Sequence, residues 1–306
     1  MDALNPRNPP RESSAGVFYA AAAFVIWGIS PLYWKQLYDV PAFEIVMHRV
    51  VWSPLILLPV LVWQNRWGEC AATFTRLRSV LALLLTTVLI SANWLVFIWA
   101  LNHEHILETS IGYYITPLVN VLLGMIFLRE RLRPLQAAAL ALAGASVAYL
   151  TFDYGSFPWI ALTLAFSFGL YGLVHKVAAI SPISGLTLEM LLLCGPAAVY
   201  LLYLNGEGTG AFLHRGLRVD LLLAATALFT GLPLLLFIVG TKRLRLSTVG
   251  FIQYIAPSGY FLLGVFYYHE PVSRAQIWTF CLIWIALGLY SADSILFYRW
   301  VAKRAP

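Results

Sequence analysis

The chain has 306 residues, of which 60% are apolar, 15% aromatic and only 11% charged, with a net charge of +6 and a mean hydropathy of +0.78. A soluble domain has about a quarter of its residues charged. This composition leaves too few charges to cover a water-facing surface, so it excludes a soluble globular enzyme; it also excludes disordered, collagen-like and disulfide-rich proteins.

Ten apolar stretches are each long enough to cross the hydrocarbon core of a bilayer as a helix, which takes roughly 20 residues. Their apolar sequence is continuous, whereas barrel strands alternate over about ten residues. The predicted fold class is therefore all-α integral membrane, with ten transmembrane helices. In chain order these cover residues 17–36, 41–64, 79–101, 106–128, 134–152, 157–175, 182–204, 220–241, 247–268 and 275–297.

The two ends of the chain are predicted to be short tails. Residues 1–15 are polar and proline-rich, which predicts a loose N-terminal tail. The apolar run that starts at Val17 is too long for the apolar region of a signal peptide, so we interpret it as the first helix. A second tail is predicted over residues 299–306.

Lysine and arginine are distributed unequally between the two sides of the predicted helices. If the N-terminus is inside, 15 cations lie in inner segments and 4 in outer ones. Short cytoplasmic loops carry such an excess, so both termini are predicted to be cytoplasmic. A nucleic-acid partner is not expected, because the charges are not gathered on one face. The inner cations are Arg7, Arg11, Arg66, Arg76, Arg78, Arg129, Arg131, Arg133, Lys176, Lys242, Arg243, Arg245, Arg299, Lys303 and Arg304.

An internal repeat divides the chain into residues 16–152 and 153–298. Shifting the sequence by 140 residues aligns YITPLVNVLLGMIFLRERLRPLQ with YIAPSGYFLLGVFYYHEPVSRAQ. Each copy contains five predicted helices, so the second copy enters the membrane from the opposite side and the repeat is inverted, as in many secondary transporters. A shift of 141 residues adds further matches. The matched pairs include Tyr114 with Tyr254, Pro117 with Pro257, Gly124 with Gly264, Gly28 with Gly169, and Lys35 with Lys176.

Several stretches resemble the RarD family of EamA-type drug/metabolite transporters, and the resemblance runs from about residue 16 to about residue 298. It implies a ten-helix permease of the bacterial inner membrane, in a family often named for chloramphenicol sensitivity or resistance. It does not identify a physiological substrate. The stretches are FVIWGISPLYWK from Phe24, HRVVWS from His48, NWLVFIWALN from Asn93, ETSIGYYITPLVNVLLGMIFLRER from Glu108 and LRLSTVGFIQYIAP from Leu244.

Ionisable residues inside a membrane helix are costly, so they are candidates for function. The second predicted helix carries His48 and Arg49, and Arg49 is a cation that no loop contains. Arginine binds carboxylates and phosphates through a planar fork. Arg49 is therefore expected to bind a polar group of the substrate, to pair with a carboxylate elsewhere, or to extend to the outer interface.

Glu189 is the inverted counterpart of His48, since each lies seven residues after the proline that begins its helix. A carboxyl in an apolar setting is able to carry a proton near neutral pH. We therefore expect Glu189 either to couple transport to protons or to form an ion pair with Arg49, Lys176 or His175.

The fourth and ninth helices contain the best-matched part of the repeat. Pro117 and Pro257 each free the carbonyl group four residues earlier, those of Tyr113 and Gln253, and are predicted hinges. Aromatic and amide side chains beside them predict a cavity for flat, partly apolar solutes, with helix packing as the alternative. The candidate lining residues are Tyr113, Tyr114, Asn120, Gln253 and Tyr254.

Further candidates lie in the first and third helices. Trp27 and Tyr33 are predicted to line the cavity, while Trp94 either lines it or faces lipid, and Asn93 binds substrate or a neighbouring helix. In the fifth helix, small residues recur at every fourth position and predict close helix packing. For the oligomeric state, the sequence is compatible with both a monomer and a homodimer. The small residues are Ala137, Ala141 and Ala145.

Together these features predict a secondary-active exporter of small amphipathic or aromatic solutes, with alternating access and proton coupling. The alternatives are a channel or a membrane-embedded sensor and, after these, a membrane enzyme. The sequence HEH at residues 103–105 lacks the spacing of HExxH, and no P-loop or nucleophile elbow occurs. We therefore expect no enzyme activity, metal or cofactor; the expected partners are a small-molecule substrate and membrane lipid.

Overall fold

The computed structural model describes residues 13–103, 105–269 and 273–304, and every regular element in these ranges is helical. Ten stretches are long and apolar enough to cross a membrane, which confirms the ten predicted helices. These spans are Ser14–Leu37, Ala42–Trp63, Leu77–Ala100, Thr109–Phe127, Pro134–Asp153, Trp159–Val177, Pro182–Gly206, Leu217–Arg243, Leu246–Tyr267 and Arg274–Ser294.

The described residues contain thirteen α-helices. Twelve of them form the ten spans, and one lies outside the spans. The helices are α1 (Ser14–Ile29), α2 (Pro31–Trp34), α3 (Ala42–Trp63), α4 (Trp67–Phe74), α5 (Leu77–Asn102), α6 (Ile106–Phe127), α7 (Pro134–Tyr154), α8 (Trp159–Val177), α9 (Pro182–Gly206), α10 (Leu217–Arg243), α11 (Leu246–Gln253), α12 (Ile255–Leu262) and α13 (Arg274–Arg304).

Two spans are interrupted, which the apolar pattern did not predict. The first span breaks between α1 and α2 because Pro31 has no N–H group to continue the helical hydrogen bonds; it ends in a 3-10 turn, Lys35–Leu37. The ninth span has a one-residue break in its α-helical hydrogen bonding at Tyr254, three residues before Pro257, where the N–H bonds to the carbonyl oxygen of Phe251 while the dihedral angles stay right-handed helical; the span ends in a π-helical turn, Leu263–Tyr267.

Both predicted tails are partly helical. Helix α1 begins at Ser14, inside the segment 1–15, of which residues 1–12 lie outside the described residues. Helix α13 continues past the end of the tenth span at Ser294 to Arg304, so the segment predicted as the C-terminal tail is helical up to that residue. From Leu289 to Arg304 the sequence contains no glycine or proline to stop the helix.

The short helix α4 joins the second and third spans and packs against the beginning of α9. Cys70 and Thr73 form its buried side. The Ser184 hydroxyl of α9 donates a hydrogen bond to Glu69 Oε2 at 3.1 Å. Hydrogen bonds from Ser181 and Ser184 hold the pKa of Glu69 below its ordinary value, against the opposing effect of desolvation. A loop of the first half is thereby connected to a span of the second half.

The helix crossings agree with the predicted inverted repeat. Helix α1 meets α12 where Gly28 lies against Gly259, and α8 meets α6 where Gly169 lies against Val119. The repeat pairs Gly28 with Gly169 and Val119 with Gly259, so the two crossings are equivalent. Small residues at both allow the backbones to approach closely.

We expect Gly259→Ala to destabilise the protein relative to Gly288→Ala. A Cβ atom at residue 259 would lie 2.7 Å from the carbonyl oxygen of Gly28, whereas one at residue 288 meets nothing within 4 Å. Overpacking of this kind costs about 1–3 kcal/mol. Both changes give the same helix-propensity gain, so the difference between their thermal midpoints isolates the crossing. Equal midpoints would show that the crossing tolerates a side chain.

The fifth and tenth spans, α7 and α13, pack on each other, but not through the predicted residues. Ala139 and Ala143 are fully buried, whereas Ala137, Ala141 and Ala145 are exposed. Alanine occupies nearly every position of this part of α7, so the sequence places small residues on every face. The spacing of small residues therefore did not identify the face that packs.

Candidate functional site

The first span begins and the last span ends at the same end of the bundle, called here the termini face; the other end is the opposite face. Arg49 lies seven residues into α3, which starts from the opposite face, and Glu189 lies seven residues into α9, which starts from the termini face. The two predicted ionisable groups therefore lie in opposite halves of the membrane, and each has its own set of neighbours.

Arg49 is half-buried and lies between two tryptophan rings. Its Nε atom donates a hydrogen bond to Thr230 Oγ1 at 2.7 Å. The centre of the guanidinium lies 5.1 Å from the ring of Trp34 and 5.2 Å from that of Trp94, within the range of cation–π attraction. Among the described residues, no carboxylate lies within ion-pair distance, so the pair with Glu189 considered from the sequence does not form. The other N–H donors are open to a ligand.

Three tyrosines surround the same guanidinium. The phenols of Tyr33, Tyr113 and Tyr260 are near enough to interact with it electrostatically. Tyr113 packs edge-on against Tyr260, with ring centres 5.5 Å apart, and Tyr33 stacks on Phe229 at 4.1 Å. Arg49, the two tryptophans and these tyrosines form a half-exposed aromatic site, named here the arginine site, which combines one cation with flat apolar walls.

An aromatic layer lies on the termini side of the arginine site. Trp27 lies 5.5 Å from Phe24 and 5.9 Å from Phe168, and Phe237 lies 5.0 Å from Phe168. Phe24 and Phe237 are at most 1% exposed. Trp27 thus belongs to this layer and is not among the rings over Arg49. The rings of this layer pack on one another between the arginine site and the termini face.

Glu189 is fully buried in a polar cluster beyond that layer. Thr86 Oγ1 donates to Oε1 at 2.5 Å, and the Tyr171 hydroxyl donates to Oε2 at 3.0 Å. His175 Nε2 lies 2.9 Å from Oε1, within ion-pair distance but outside hydrogen-bond geometry. Of the three partners considered from the sequence, His175 is the one that lies beside Glu189. Arg49 and Lys176 bind elsewhere.

Two lysines connect helix ends at the termini face. Lys176 Nζ donates to the carbonyl oxygen of Thr241 at 2.9 Å, and Lys242 Nζ donates to that of Ala178 at 2.9 Å. Each bond links the end of α8, or the loop after it, to the end of α10. The two bonds therefore hold the ends of these spans together.

The predicted residues of α6 and of the ninth span mostly bind one another. Asn120 Nδ2 donates to Gln253 Oε1 at 2.5 Å, and the Tyr254 hydroxyl donates to the carbonyl oxygen of Tyr114 at 3.3 Å. Asn120, Gln253 and Tyr254 are each at most 6% exposed. These three residues and Tyr114 join the two spans. Of the five candidate residues in α6 and the ninth span, only Tyr113 reaches the arginine site.

The two predicted hinge prolines differ in their surroundings. Helix α6 continues through Pro117 without a break, and a Cβ atom at Gly250 would lie 2.6 Å from the Pro117 carbonyl oxygen, so α11 packs directly on this point. Pro257 follows the break at Tyr254. The sequence motif is shared, but the backbone is interrupted in one copy.

His48 and Asn93 lie away from the arginine site. Asn93 Nδ2 donates to the carbonyl oxygen of Leu164 and to Ser167 Oγ, both at 2.9 Å, so it joins α5 to α8. His48 lies on a different side of α3 from Arg49, since adjacent helical residues point about 100° apart. The Trp52 indole donates to its Nδ1 atom at 3.0 Å.

Sequence reasoning missed Thr230 and Tyr260. Tyr260 was detectable, because the repeat pairs it with Asn120, just as it pairs Tyr113 with Gln253. The contact of Tyr113 with Tyr260 is thus the counterpart of the Asn120–Gln253 hydrogen bond. Thr230 left no such signal, since threonine is common in membrane helices.

The sequence is similar to a known family and to known proteins along nearly its whole length. The model of the EamA-like transporter family matches residues 14–152. The chain is 46% identical over 292 residues to the uncharacterized transporter YojE of Bacillus subtilis (strain 168), covering 94% of this chain and 97% of that protein. It is 44% identical over 289 residues to the protein RarD of Salmonella typhi, covering 94% and 98%.

One solved crystal structure shares the fold, with a TM-score of 0.72 at 17% identity over 91% of this chain and 98% of that one. The similarity to the RarD protein extends over nearly the full length of both chains, through both five-helix halves. The chain therefore belongs to the RarD family of EamA-type transporters and is a multi-pass membrane transporter, not an enzyme.

Proposed function

We propose that the protein is a secondary-active exporter of the bacterial inner membrane, with the termini face in the cytoplasm. The excess of lysine and arginine on that face supports this orientation. In this orientation the arginine site faces the outside of the cell. The aromatic layer, and the lysine–carbonyl bonds at the termini face, lie between that site and the cytoplasm. Alternating access exchanges these two arrangements around a central site.

The observation that carries the proposal is the arginine site itself. Arg49 is held in place by Thr230 and two indole rings, yet most of its N–H donors have no partner among the residues that the structure describes. A guanidinium fork donates hydrogen bonds to a carboxylate, nitro or carbonyl group, and the aromatic walls pack against a flat ring. The proposed substrates are small aromatic or amphipathic solutes with such an acceptor group, which includes chloramphenicol-like compounds implied by the family resemblance.

Glu189 supplies the proposed coupling to protons. It is a fully buried carboxyl separated from the arginine site by the aromatic layer, so proton and solute occupy different places. In an antiport cycle, the proton bound to Glu189 returns the empty carrier to the inward-facing state and leaves on the cytoplasmic side. Deprotonated Glu189 then accompanies the outward movement of the solute.

Purified protein reconstituted into liposomes tests the proposal with radiolabelled 4-hydroxyphenylacetate, chloramphenicol and tyramine. We expect saturable, protein-dependent flux of the first two and much less of tyramine, which has the same ring but carries a cation. In vesicles that are acidic inside, we expect antiport to accumulate 4-hydroxyphenylacetate in the lumen. Passive diffusion of a weak acid gives the opposite distribution. Flux without saturation would instead identify a channel, and the absence of any protein-dependent flux of the two acceptor solutes would overturn the proposed substrate class.

A further inference from the structure

A cavity lies between α3 and α9 near the opposite face, apart from the arginine site. It has a volume of about 280 Å³, and its walls include Trp52, Phe212, Ala198 and Leu202. Leu202 is 70% exposed on the outer surface of the bundle. Because this surface faces lipid in a membrane, the cavity opens sideways to the bilayer and does not continue the central path.

Two buried polar atoms at this cavity have no hydrogen-bond partner among the described residues. Glu44 is 1% exposed and His48 is 2% exposed. Glu44 Oε1 accepts a hydrogen bond from the backbone N–H of Ala211 at 2.6 Å, but Oε2 accepts none. His48 Nε2 is also unpartnered and lies 3.9 Å from Glu44 Oε1, too far for a hydrogen bond. Buried polar atoms are rarely left without a partner, so both point to an occupant.

The neighbouring groups fix the chemistry of these atoms. An indole N–H is only a donor, so the bond from Trp52 makes His48 Nδ1 an acceptor and leaves the ring proton on Nε2. The cavity therefore offers one unpartnered buried donor, His48 Nε2–H, and one unpartnered buried acceptor, Glu44 Oε2, and the amide side chain of Asn205 also lines it. The rings of Trp52 and Phe212 pack at 5.6 Å beside them. This pairing of a carboxylate with aromatic rings suits a cation.

Among the described residues, no lysine or arginine pairs with Glu44, and the nearby His48 is neutral because its Nδ1 atom accepts the hydrogen bond from Trp52. The nearby guanidinium groups are bonded elsewhere, Arg215 to the carbonyl oxygen of Asp39 at 2.6 Å and Arg218 to Gln36 Oε1 at 2.8 Å. Asp220 instead adds a second negative charge that interacts with His48. The electrostatic surroundings of the cavity thus favour a positive ligand.

We propose that this cavity binds the ammonium group of an amphipathic amine. The ammonium pairs with Glu44 Oε2, a neighbouring oxygen of the ligand accepts from His48 Nε2–H, and the apolar part lies along Leu202 toward the bilayer. A free amino alcohol and the headgroup of an ethanolamine lipid share this chemistry. The site is separate from the arginine site and does not depend on the proposed substrates.

The test uses the full chain in nanodiscs of phosphatidylglycerol, which contain no amine, and follows the thermal midpoint against the concentration of 2-aminohexan-1-ol. We expect a saturable stabilisation that hexane-1,2-diol does not produce. In Glu44→Gln, which keeps an acceptor for Ala211, the apparent Kd rises about tenfold or more, since charged hydrogen bonds are the stronger ones. Ala198→Phe, which fills the cavity and leaves Glu44 in place, gives the same loss.

Glu69→Gln is the matched control, because it neutralises a carboxylate at the other face, and it should bind as the unmodified protein does. Equal stabilisation by the diol, or unchanged binding in both Glu44→Gln and Ala198→Phe, would overturn the proposal. Nanodiscs that contain phosphatidylethanolamine separate the two sources of the ammonium group. A weakened response to 2-aminohexan-1-ol there identifies the lipid headgroup as the occupant, and an unchanged response identifies a free amine.

Discussion

Glu189→Gln should abolish the accumulation of 4-hydroxyphenylacetate in acidic vesicles, reducing it to the level of protein-free liposomes. Glutamine has the same shape as glutamate and still accepts hydrogen bonds at its amide oxygen, but it does not exchange a proton. Solute exchange at equal pH on both sides should continue, because the arginine site lies on the other side of the aromatic layer. Accumulation and exchange measured on the same vesicles separate the two effects.

Glu69→Gln provides the control for this change, since Glu69 is a carboxylate of the termini face that bonds to Ser184 outside the Glu189 cluster. It should retain accumulation. Persistent accumulation in Glu189→Gln would disprove the coupling role. Loss of both accumulation and exchange, together with a lowered thermal midpoint, would show that Glu189 is a structural partner of His175 instead.

Arg49→Ala should raise the KM for 4-hydroxyphenylacetate by about tenfold or more, because hydrogen bonds to charged groups contribute about 1.5–3 kcal/mol each. Arg49→Lys should restore only part of this affinity. Lysine keeps the charge, but it lacks the planar fork and the flat surface that lies between Trp34 and Trp94. Initial rates of uptake over a range of concentrations give KM for each variant.

The matched control for Arg49 is Arg218→Ala, which removes an exposed guanidinium that bonds to Gln36 at the opposite face. Its KM should stay within about twofold of the original, as expected for a surface pair. An unchanged KM in Arg49→Ala would remove Arg49 from the substrate site. A thermal midpoint that falls in Arg49→Ala and recovers in Arg49→Lys, with KM unaffected in both, would assign it a structural role.

Most of the fold was predictable because the bilayer imposes a simple length and polarity rule on each span. The rule does not detect interruptions, so the break at Tyr254 was missed: the residues around it are as apolar as a continuous helix requires. Helix α4 was missed for the opposite reason. It is only eight residues long and lies outside the spans, where length gives no signal.

The candidate site residues could be named one by one from the sequence, but their arrangement could not. Scarcity of charge identified Arg49, His48 and Glu189 correctly as buried or half-buried groups. Their grouping depended on the rotation of α3 and on which span lies across from it, and neither follows from hydropathy. His48 and Arg49 are adjacent in sequence, yet His48 lines the cavity between α3 and α9 whereas Arg49 belongs to the arginine site.

The break at Tyr254 has no equivalent at Tyr114, its repeat mate, which lies within the continuous helix α6. If the two halves exchanged conformations fully, α6 would bend before Pro117, where the Tyr254 hydroxyl is bonded, and the ninth span would straighten. Pro257 is followed by serine and glycine, whereas Pro117 is followed by leucine and valine, so the two spans resist bending differently. If the protein transports by the proposed alternating access, we expect its two access states to differ in energy and the apparent affinity for a solute to differ between the two sides of the membrane.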